Sequence, residues 1–599
     1  MGNQRFSTVG TVLGTVALCS AMLLGGCSSD DSQAATDKSI VFTGVKAPET
    51  DAEKQSILAS SKATINGKEY SIGFNTIMRS GDVVGGGTFG MIYDKNGNPL
   101  KASDGSNYIS NDNDFSSLLT GKTDGKLYMV SHFEMSPGAM YVTELNQDKA
   151  TGKLTPVKTK NIDFSGFGGG WVHCAGSVTP WGTHLGSEEY EPDARKVTAS
   201  GYLNKDNYGN TQALYFGLDP NSTATDYFTN GGLNAYNYGW QIEVKVNSFD
   251  SVTSTKHYSM GRIAHELGYV TPNKKTTYIS DDGPNVGLFR YEADTAENLT
   301  SGELFVAKWT QTASTNGGSA DISWISLGKA TDAEIKVYID QKIKFTDMFE
   351  TATPDATTNA CATGFTSINT TTGHECLKVK TGMEKAASRL ETRRYAAIKG
   401  GTTEFNKMEG ITLDPDTKTL YIGMSVVDKG MNDNDSTFDK GGPNHIKLPK
   451  NICGTVYALD LDSNYIAKNM HALISGTPKT YDASSPFASN KCDVDGISEP
   501  DNVTFMPGYK TLIIGEDTGN HQNDMIWSYN VTSKALTRIQ TTPYGSETTS
   551  PYFYPNVNGW GYLMSVIQHP YGESDQTKLP AAEAKRAYTG YIGPFPAMN

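Results

Sequence analysis

One phrase returns along the chain and restricts the fold more than any other feature. An acidic or polar turn leads into a short β-branched or aromatic run, and a second run answers it after a few residues. Thr271-Pro272-Asn273-Lys274-Lys275 precedes Thr276-Thr277-Tyr278-Ile279, answered by Leu288-Phe289-Arg290-Tyr291. Asp414-Pro415-Asp416-Thr417-Lys418 precedes Thr419-Leu420-Tyr421-Ile422 in the same way. The phrase spans 264–294, 409–460 and 501–530, and further short runs lie at Leu127-Tyr128-Met129-Val130, Gly454–Leu459 and Thr511–Ile514. Short strands at irregular repeats, bounded by Gly, Asn, Asp and Pro, predict an all-β chain folded as a β-propeller. The roughly 550 residues after the leader exceed what a ring of compact blades of about 45 residues needs, so helical and loop insertions should decorate it.

Two insertions read as helices, Asp332–Phe349 and Gly382–Lys399, the second with Met383, Ala386, Leu390 and Ala397 on one side. The Thr/Asn-rich stretch 351–372 reads as a surface loop. Gly85–Gly90 fits a GxGxxG string, but no helix pattern follows, which argues against a dinucleotide site. No Gly-x-Ser-x-Gly elbow, Walker A sequence or HExxH motif occurs, so a serine nucleophile has no support.

Residues 1–26 read as a bacterial lipoprotein signal: Arg5 is the only charge, and an apolar stretch ends in Leu23-Leu24-Gly25-Gly26-Cys27. Cleavage before Cys27 and lipidation of its sulfur would anchor the chain to a membrane, with 27–45 as a flexible tether. Ser28 after the cysteine favours the outer membrane by the sorting rule. Residues 46–599 are expected to form one catalytic propeller domain, working as a monomer. The chain carries 51 basic against 65 acidic residues, a net charge of −14, and Arg5 leaves with the leader. Such a field excludes nucleic acid as a partner, and an anionic substrate would need a local positive source such as bound metal.

Seven cysteines are present; Cys19 leaves with the leader and Cys27 is lipidated. Proximity pairs Cys361 with Cys376 and Cys453 with Cys492, although four cysteines allow three pairings. On that pairing Cys174 is the odd thiol, and in an export compartment it must be buried or coordinated. It stands in Gly169-Gly170-Trp171-Val172-His173-Cys174-Ala175-Gly176-Ser177-Val178-Thr179-Pro180-Trp181-Gly182-Thr183, with Glu188-Glu189 shortly after. A soft sulfur beside hard carboxylates suits a metal centre of mixed character. Four more segments carry related chemistry: Arg262-Ile263-Ala264-His265-Glu266, Lys407-Met408-Glu409-Gly410-Ile411, Glu499-Pro500-Asp501-Asn502 and Val566-Ile567-Gln568-His569-Pro570. Asp281, Asp282, Glu516 and Asp517 end strands as acidic pairs and are secondary candidates.

These five segments, together with Tyr238-Gly239-Trp240 and Arg389–Arg394, resemble in order the signatures of the PhoX family of bacterial alkaline phosphatases. The resemblance covers roughly residues 70 to 575. It implies a six-bladed propeller whose axial site holds ferric iron and calcium, with Cys174 on iron and Glu188, Glu189, Glu266, Glu409 and Asp501 shared between the metals. It also implies a phosphomonoesterase that releases inorganic phosphate from small-molecule phosphate esters with a metal-activated oxygen nucleophile. Lys407 stands where the family has arginine, and a lysine grips phosphate as a compact charge without the planar fork. His569 is a candidate substrate contact. Many relatives carry a twin-arginine leader; this N-terminus has none, so metal loading is expected after secretion. Two alternatives stay open on the residues alone. One is a single-calcium propeller lactonase or phosphotriesterase, which has no use for Cys174. The other is a calcium-stabilised propeller without catalysis, for which Lys407 is the best argument.

Overall fold

Six antiparallel units of four strands follow one another along the chain, each the blade of a ring; two of them are joined into one larger sheet, and one carries an extra edge strand. The computed structural model describes residues 38–197, 207–219 and 233–598. The leader, Cys27 and the tether up to residue 37 therefore lie outside the described residues. From Lys38 onward the chain clusters as a single unit.

The first blade is Asn113–Thr120, Leu127–Phe133, Ala139–Gln147 and Leu154–Asn161. The second begins with the short strands Ser177–Val178 and His184–Gly186 and is completed by Gln241–Ser248 and Ser251–His257. The third and fourth begin at His265–Val270 and Met408–Asp414. A long hairpin, Asn298–Ala313 with Ser319–Thr331, leaves the third blade and pairs Ser319 with His471 of the fourth, so the two blades share one nine-stranded sheet. The fifth begins at Pro500–Met506 and the sixth at Glu547–Val557. The strand runs expected from the sequence all fall inside these blades, because inward faces of Val, Ile, Leu, Tyr and Met pack blade on blade.

Ring closure uses both ends of the propeller. The strand Gly73–Arg79 pairs with Tyr588–Pro596, Arg79 opposite Tyr588, and so supplies the outer strand of the last blade. The innermost strands of neighbouring blades then stand side by side around the axis.

Between the third and fourth blades, residues 332–407 form a separate cap. The expected helix Asp332–Phe349 is shorter in the structure: Asp332–Asp340 is helical, and Phe345–Met348 is a second turn that runs into the strand Phe349–Ala352. Thr331 and Glu334 close a capping box at its start, and Lys342 in left-handed geometry (φ 53°) ends it. The expected helix Gly382–Lys399 is likewise two, Glu384–Leu390 and Thr392–Ile398, broken at Glu391 (φ −131°), whose carboxylate is held by Tyr236 and Arg394. The stretch expected as loop, 351–372, ends in a strand, Thr366–Thr370, of a three-stranded sheet with Phe349–Ala352 and Gly373–Val379.

Cys361 pairs with Cys376 and Cys453 with Cys492, leaving Cys174 free. The second bridge closes a span of 39 residues. Replacing Cys453 and Cys492 by serine should cost about 4 kcal/mol on chain-entropy grounds, and the shorter Cys361–Cys376 bridge about 3 kcal/mol. Urea unfolding of the two double variants checks the order.

Candidate metal centre

The same device recurs at the axis. Five of the six innermost strands carry a β-bulge near their start, between Asn113 and Ser116, His265 and Gly268, Met408 and Ile411, Pro500 and Val503, and Thr549 and Tyr552. A bulge breaks the in–out alternation and re-aims a side chain. The residues in these five breaks include Asp114, Glu266, Glu409, Asp501 with Asn502, and Ser550. The second blade contributes Cys174, just ahead of its inner strand. Gly410 has no room for a side chain: a Cβ there would come within 2.7 Å of the Asn502 backbone, so the fourth and fifth blades approach only through glycine.

Contacts tie these residues into one cluster. Cys174 Sγ stands 3.0 Å from Glu266 Oε2 and 3.4 Å from Asp114 Oδ2. Asn502 Nδ2 donates to Glu266 Oε1 at 3.1 Å and to Asp501 Oδ1 at 2.8 Å. The Ser550 hydroxyl lies 2.5 Å from Asp114 Oδ1 and 2.7 Å from Asn502 Oδ1. Ligand-type atoms of Glu266, Glu409 and Asp501 fall within 4.8 Å of one another, as do those of Cys174, Glu189 and Glu266, and those of Asp114, Glu134 and Cys174. A further group, Glu547, His569 and Glu573, lies at the sixth blade, with His569 Nε2 3.3 Å from Glu547 Oε2.

Glu189 shows what the cluster requires. Its carboxylate is 1% exposed, and neither oxygen receives a hydrogen bond from the described residues. The group beside it is another carboxylate, Asp282, itself bound at 2.5 Å by the Tyr190 hydroxyl. Lys407 is the only lysine or arginine among the described residues that pairs with the cluster, 3.4 Å from Glu409 and 3.9 Å from both Asp282 and Asp517. Burial, then the charge of neighbouring carboxylates, pushes Glu266, Asp501, Glu134 and Glu189 well above the usual carboxylate range. Burial raises Glu409 to about 8 and Asp114 to about 6. Asp282 alone is held low: burial pushes it up, but the Lys407 ammonium together with the hydrogen bonds it accepts, from the Tyr190 hydroxyl and the Gly283 N–H among them, outweighs that burial. Burial lowers the Lys407 pKa, yet Asp282, Glu409, Asp517 and Asp501 together hold it well above normal. One ammonium cannot neutralise this set. Ionised carboxylates buried without donors need cations beside them, and one thiol among many carboxylate oxygens makes a metal donor set of mixed soft and hard character.

Of the residues named from the sequence, the structure brings together Cys174, Glu189, Glu266, Glu409 and Asp501, with Lys407 among them and His569 at the rim. Glu188 is a correction. Its carboxylate is fully buried on the other side of the chain, 2.7 Å from the Lys256 ammonium and bound by the N–H groups of Gly239 and Trp240. Adjacent residues of an extended segment face opposite ways, so Glu188 and Glu189 cannot both enter the cluster. The secondary pairs divide likewise. Asp281 is gripped by Arg393, and Glu516 accepts from Trp527 Nε1, Met525 N and Ser498 N. Asp282 and Asp517 face Lys407. Arg393 and Arg394 are spent on Glu191, Asp281, Asp193 and Glu375 and brace the cap.

Sequence reasoning missed Asp114, Glu134, Asn502, Ser550 and Glu547 as site residues. A usable signal existed for Asp114 and Glu547: like Glu266 and Glu409, each sits at the start of an inner strand. His132 was also missed. Its Nδ1 lies 2.6 Å from the Cys174 carbonyl, and its Nε2 is 2.5 Å from His184 Nε2, whose Nδ1 is 2.8 Å from the Ser117 hydroxyl. Left-handed geometry gathers here as well: Val172 (φ 28°), Tyr190 (46°), Lys407 (51°), Glu499 (39°), Ser550 (46°) and His569 (32°). Strain of this kind on residues with a Cβ concentrates at functional sites. A cleft of about 400 Å³ opens beside Asp282 and Tyr190. Another of about 310 Å³, lined by Leu100, Tyr108, Met135 and Leu214, reaches Glu134 and Asp112.

The sequence matches the family model of alkaline phosphatase PhoX over residues 149–570. No curated protein matches it. Among solved structures, the chain is similar to Pseudomonas fluorescens PhoX in complex with vanadate, a transition-state analogue. The two share 17% identity at a TM-score of 0.59, over 92% of this chain and 98% of the other. A periplasmic gluconolactonase of Pseudomonas aeruginosa aligns far more loosely, at 10% identity and a TM-score of 0.29, over 77% of this chain and 96% of that one. With the model spanning well over half its length and the same ring of blades, the chain is a phosphatase that belongs to the alkaline phosphatase PhoX family.

Proposed function

We propose that the chain is a phosphomonoesterase acting on small-molecule phosphate esters, with iron and calcium held by the axial cluster. The observation that carries this reading is the buried, donor-free carboxylate of Glu189 beside Cys174 and Glu266. Cys174 would hold iron as a thiolate, and Glu189, Glu266, Glu409, Asp501, Asp114 and Glu134 would hold iron and calcium through oxygen. The bound cations would supply the Lewis-acid charge that phosphoryl transfer needs. The thiol has no place in a single-calcium lactonase, and this counts against that alternative.

Lys407 is the substrate contact. Its ammonium keeps its proton among Asp282, Glu409 and Asp517, and its side chain is 29% exposed, so one face is open to a phosphoryl oxygen. Its left-handed backbone is fixed by N–H donation to Gly283 at 2.9 Å and acceptance from Ser425 at 3.0 Å. His569, at the sixth blade, stands with Nε2 3.3 Å from Glu547 Oε2, and its Nδ1 is buried with no hydrogen-bond partner among the described residues. Its side chain is 19% exposed, so a contact to the ester or leaving-group oxygen would use the exposed edge of the ring rather than Nδ1. Outside the described residues, the lipid anchor on Cys27 would hold the enzyme at the outer membrane; Cys27→Ser should release it into the soluble fraction.

Purified protein should hydrolyse p-nitrophenyl phosphate and contain iron and calcium. Cys174→Ala should lose iron and at least 100-fold in turnover while keeping its circular dichroism; full activity would refute the assignment. Glu188→Gln should instead retain the metals and lose stability by about 3–5 kcal/mol, because Lys256 is left buried without its carboxylate.

Lys407→Ala should weaken inhibition by inorganic phosphate by about 10- to 100-fold, the loss of one charged hydrogen bond. Lys407→Arg should keep or tighten it. Inhibition constants for the three proteins decide the point.

Metal-free protein should show a specific pH dependence. Carboxyls whose pKa is raised in the folded state contribute full stability below their unfolded values near 4. That contribution falls as pH rises through about 6 for Asp114 and about 8 for Glu409. Chelated protein should therefore melt progressively lower from pH 5 to pH 8, and adding calcium and iron should abolish most of that slope in thermal unfolding.

A further inference from the structure

The loop between the second and third strands of the fourth blade carries Asn432-Asp433-Asn434-Asp435 and Asp439, and it folds over Glu404. Glu404 is 3% exposed. Its Oε2 accepts the backbone N–H groups of His445 and Ile446, each at 2.7 Å. Its Oε1 receives no hydrogen bond from the described residues. The nearest group able to carry a positive charge is His445, whose Nδ1 stands 3.7 Å away. That nitrogen is engaged elsewhere. It lies 2.8 Å from the hydroxyl of Thr402, whose Oγ1 also accepts the Trp309 N–H at 2.9 Å. Lys447 is exposed and reaches only Asp433, at 4.0 Å.

Three more buried oxygens without donors among the described residues lie in this loop or on a residue bound to it: Asp439 Oδ2, Asn444 Oδ1 and Asn285 Oδ1. Each is tied to Glu404. Asp439 lies in the loop whose His445 and Ile446 N–H groups hold Glu404. Asn444 directly precedes His445, and its Nδ2 donates to Asp433 Oδ1 at 2.8 Å, which turns Oδ1 the other way. Asn285 donates from Nδ2 to the carbonyl of Phe438, the residue before Asp439, at 2.6 Å. The strand holding Asn285 pairs with Phe405–Asn406, next to Glu404. A buried carboxylate oxygen with no donor, under a loop that holds further oxygens with none, is costly when ionised unless a cation joins them.

We propose that Glu404, Asp439, Asn444 and Asn285 hold a calcium ion, separate from the axial cluster, that fastens the 428–446 loop to the ring. The donor set is all hard oxygen, two carboxylates and two amide carbonyls, with no thiol or free imidazole nitrogen. Calcium takes such oxygens in flexible number, whereas magnesium demands a strict octahedron and transition metals favour nitrogen or sulfur.

Limited trypsin digestion of the full chain tests this, because Lys429 and Lys440 lie in the loop. Cleavage there should be at least tenfold faster in EGTA than in calcium, and magnesium should not restore protection. Asp439→Asn and Glu404→Gln should be cut at the calcium-free rate in either buffer and hold one calcium fewer per chain. Asp439→Asn should still hydrolyse p-nitrophenyl phosphate at the parent rate, which shows that it is folded. Glu409→Gln, in the axial cluster, should keep calcium protection of the loop. Equal cleavage of the parent protein with and without calcium would overturn the proposal. So would an unchanged calcium count in Asp439→Asn, or loss of protection in Glu409→Gln.

Discussion

Mutual repulsion among buried carboxylates is the constraint on which the rest of the structure depends. Asp114, Glu134, Glu189, Glu266, Glu409 and Asp501 converge from separate blades on a space that a single lysine enters. No folded chain would keep them there for their own sake, since each resists ionisation in that setting. Their assembly is tolerated because the ring around them is stiff and because cations convert the liability into cohesion. Cys174 belongs to the same logic, its thiol lodged between Glu266 and Asp114.

The ring supplies stiffness in a repeated way. The inner strands are flanked by apolar packing, and in five of the six an irregularity near the start turns a polar side chain to the axis. Gly410 permits the close approach of two blades at that level. Supporting groups stand one step further out. Arg393 on Asp281, Lys256 on Glu188 and the Ser117–His184–His132 chain leading to the Cys174 carbonyl each satisfy a buried polar group next to a ligand. The pairs consume nearby charges of both signs, so the axial carboxylates remain for metal and substrate.

Much of this was legible in the sequence, and the misses have physical reasons. The strands could be read because β-branched runs between polar turns are local signals. Cys174, Glu189, Glu266, Glu409 and Asp501 could be read because they stand in distinctive segments. Glu188 could not be separated from Glu189 by composition; only the direction of the extended chain tells them apart. Glu134 follows an unremarkable strand end, and its role arises from ring geometry that no local window contains. The broken helices failed for a related reason. Glu391 interrupts a good helical pattern because tertiary partners, Tyr236 and Arg394, hold its side chain.

Ring closure by Gly73–Arg79 has a consequence for biogenesis. The last blade combines the early strand Gly73–Arg79 with three strands from the far end of the ring, so the circle cannot be completed until Tyr588–Pro596 has been made. Ser550 and Glu547 arrive only with that blade, and a nascent chain lacks the finished axial chamber however well its earlier blades have folded. A site that draws on all six blades is therefore assembled only when the strand Tyr588–Pro596 is in place.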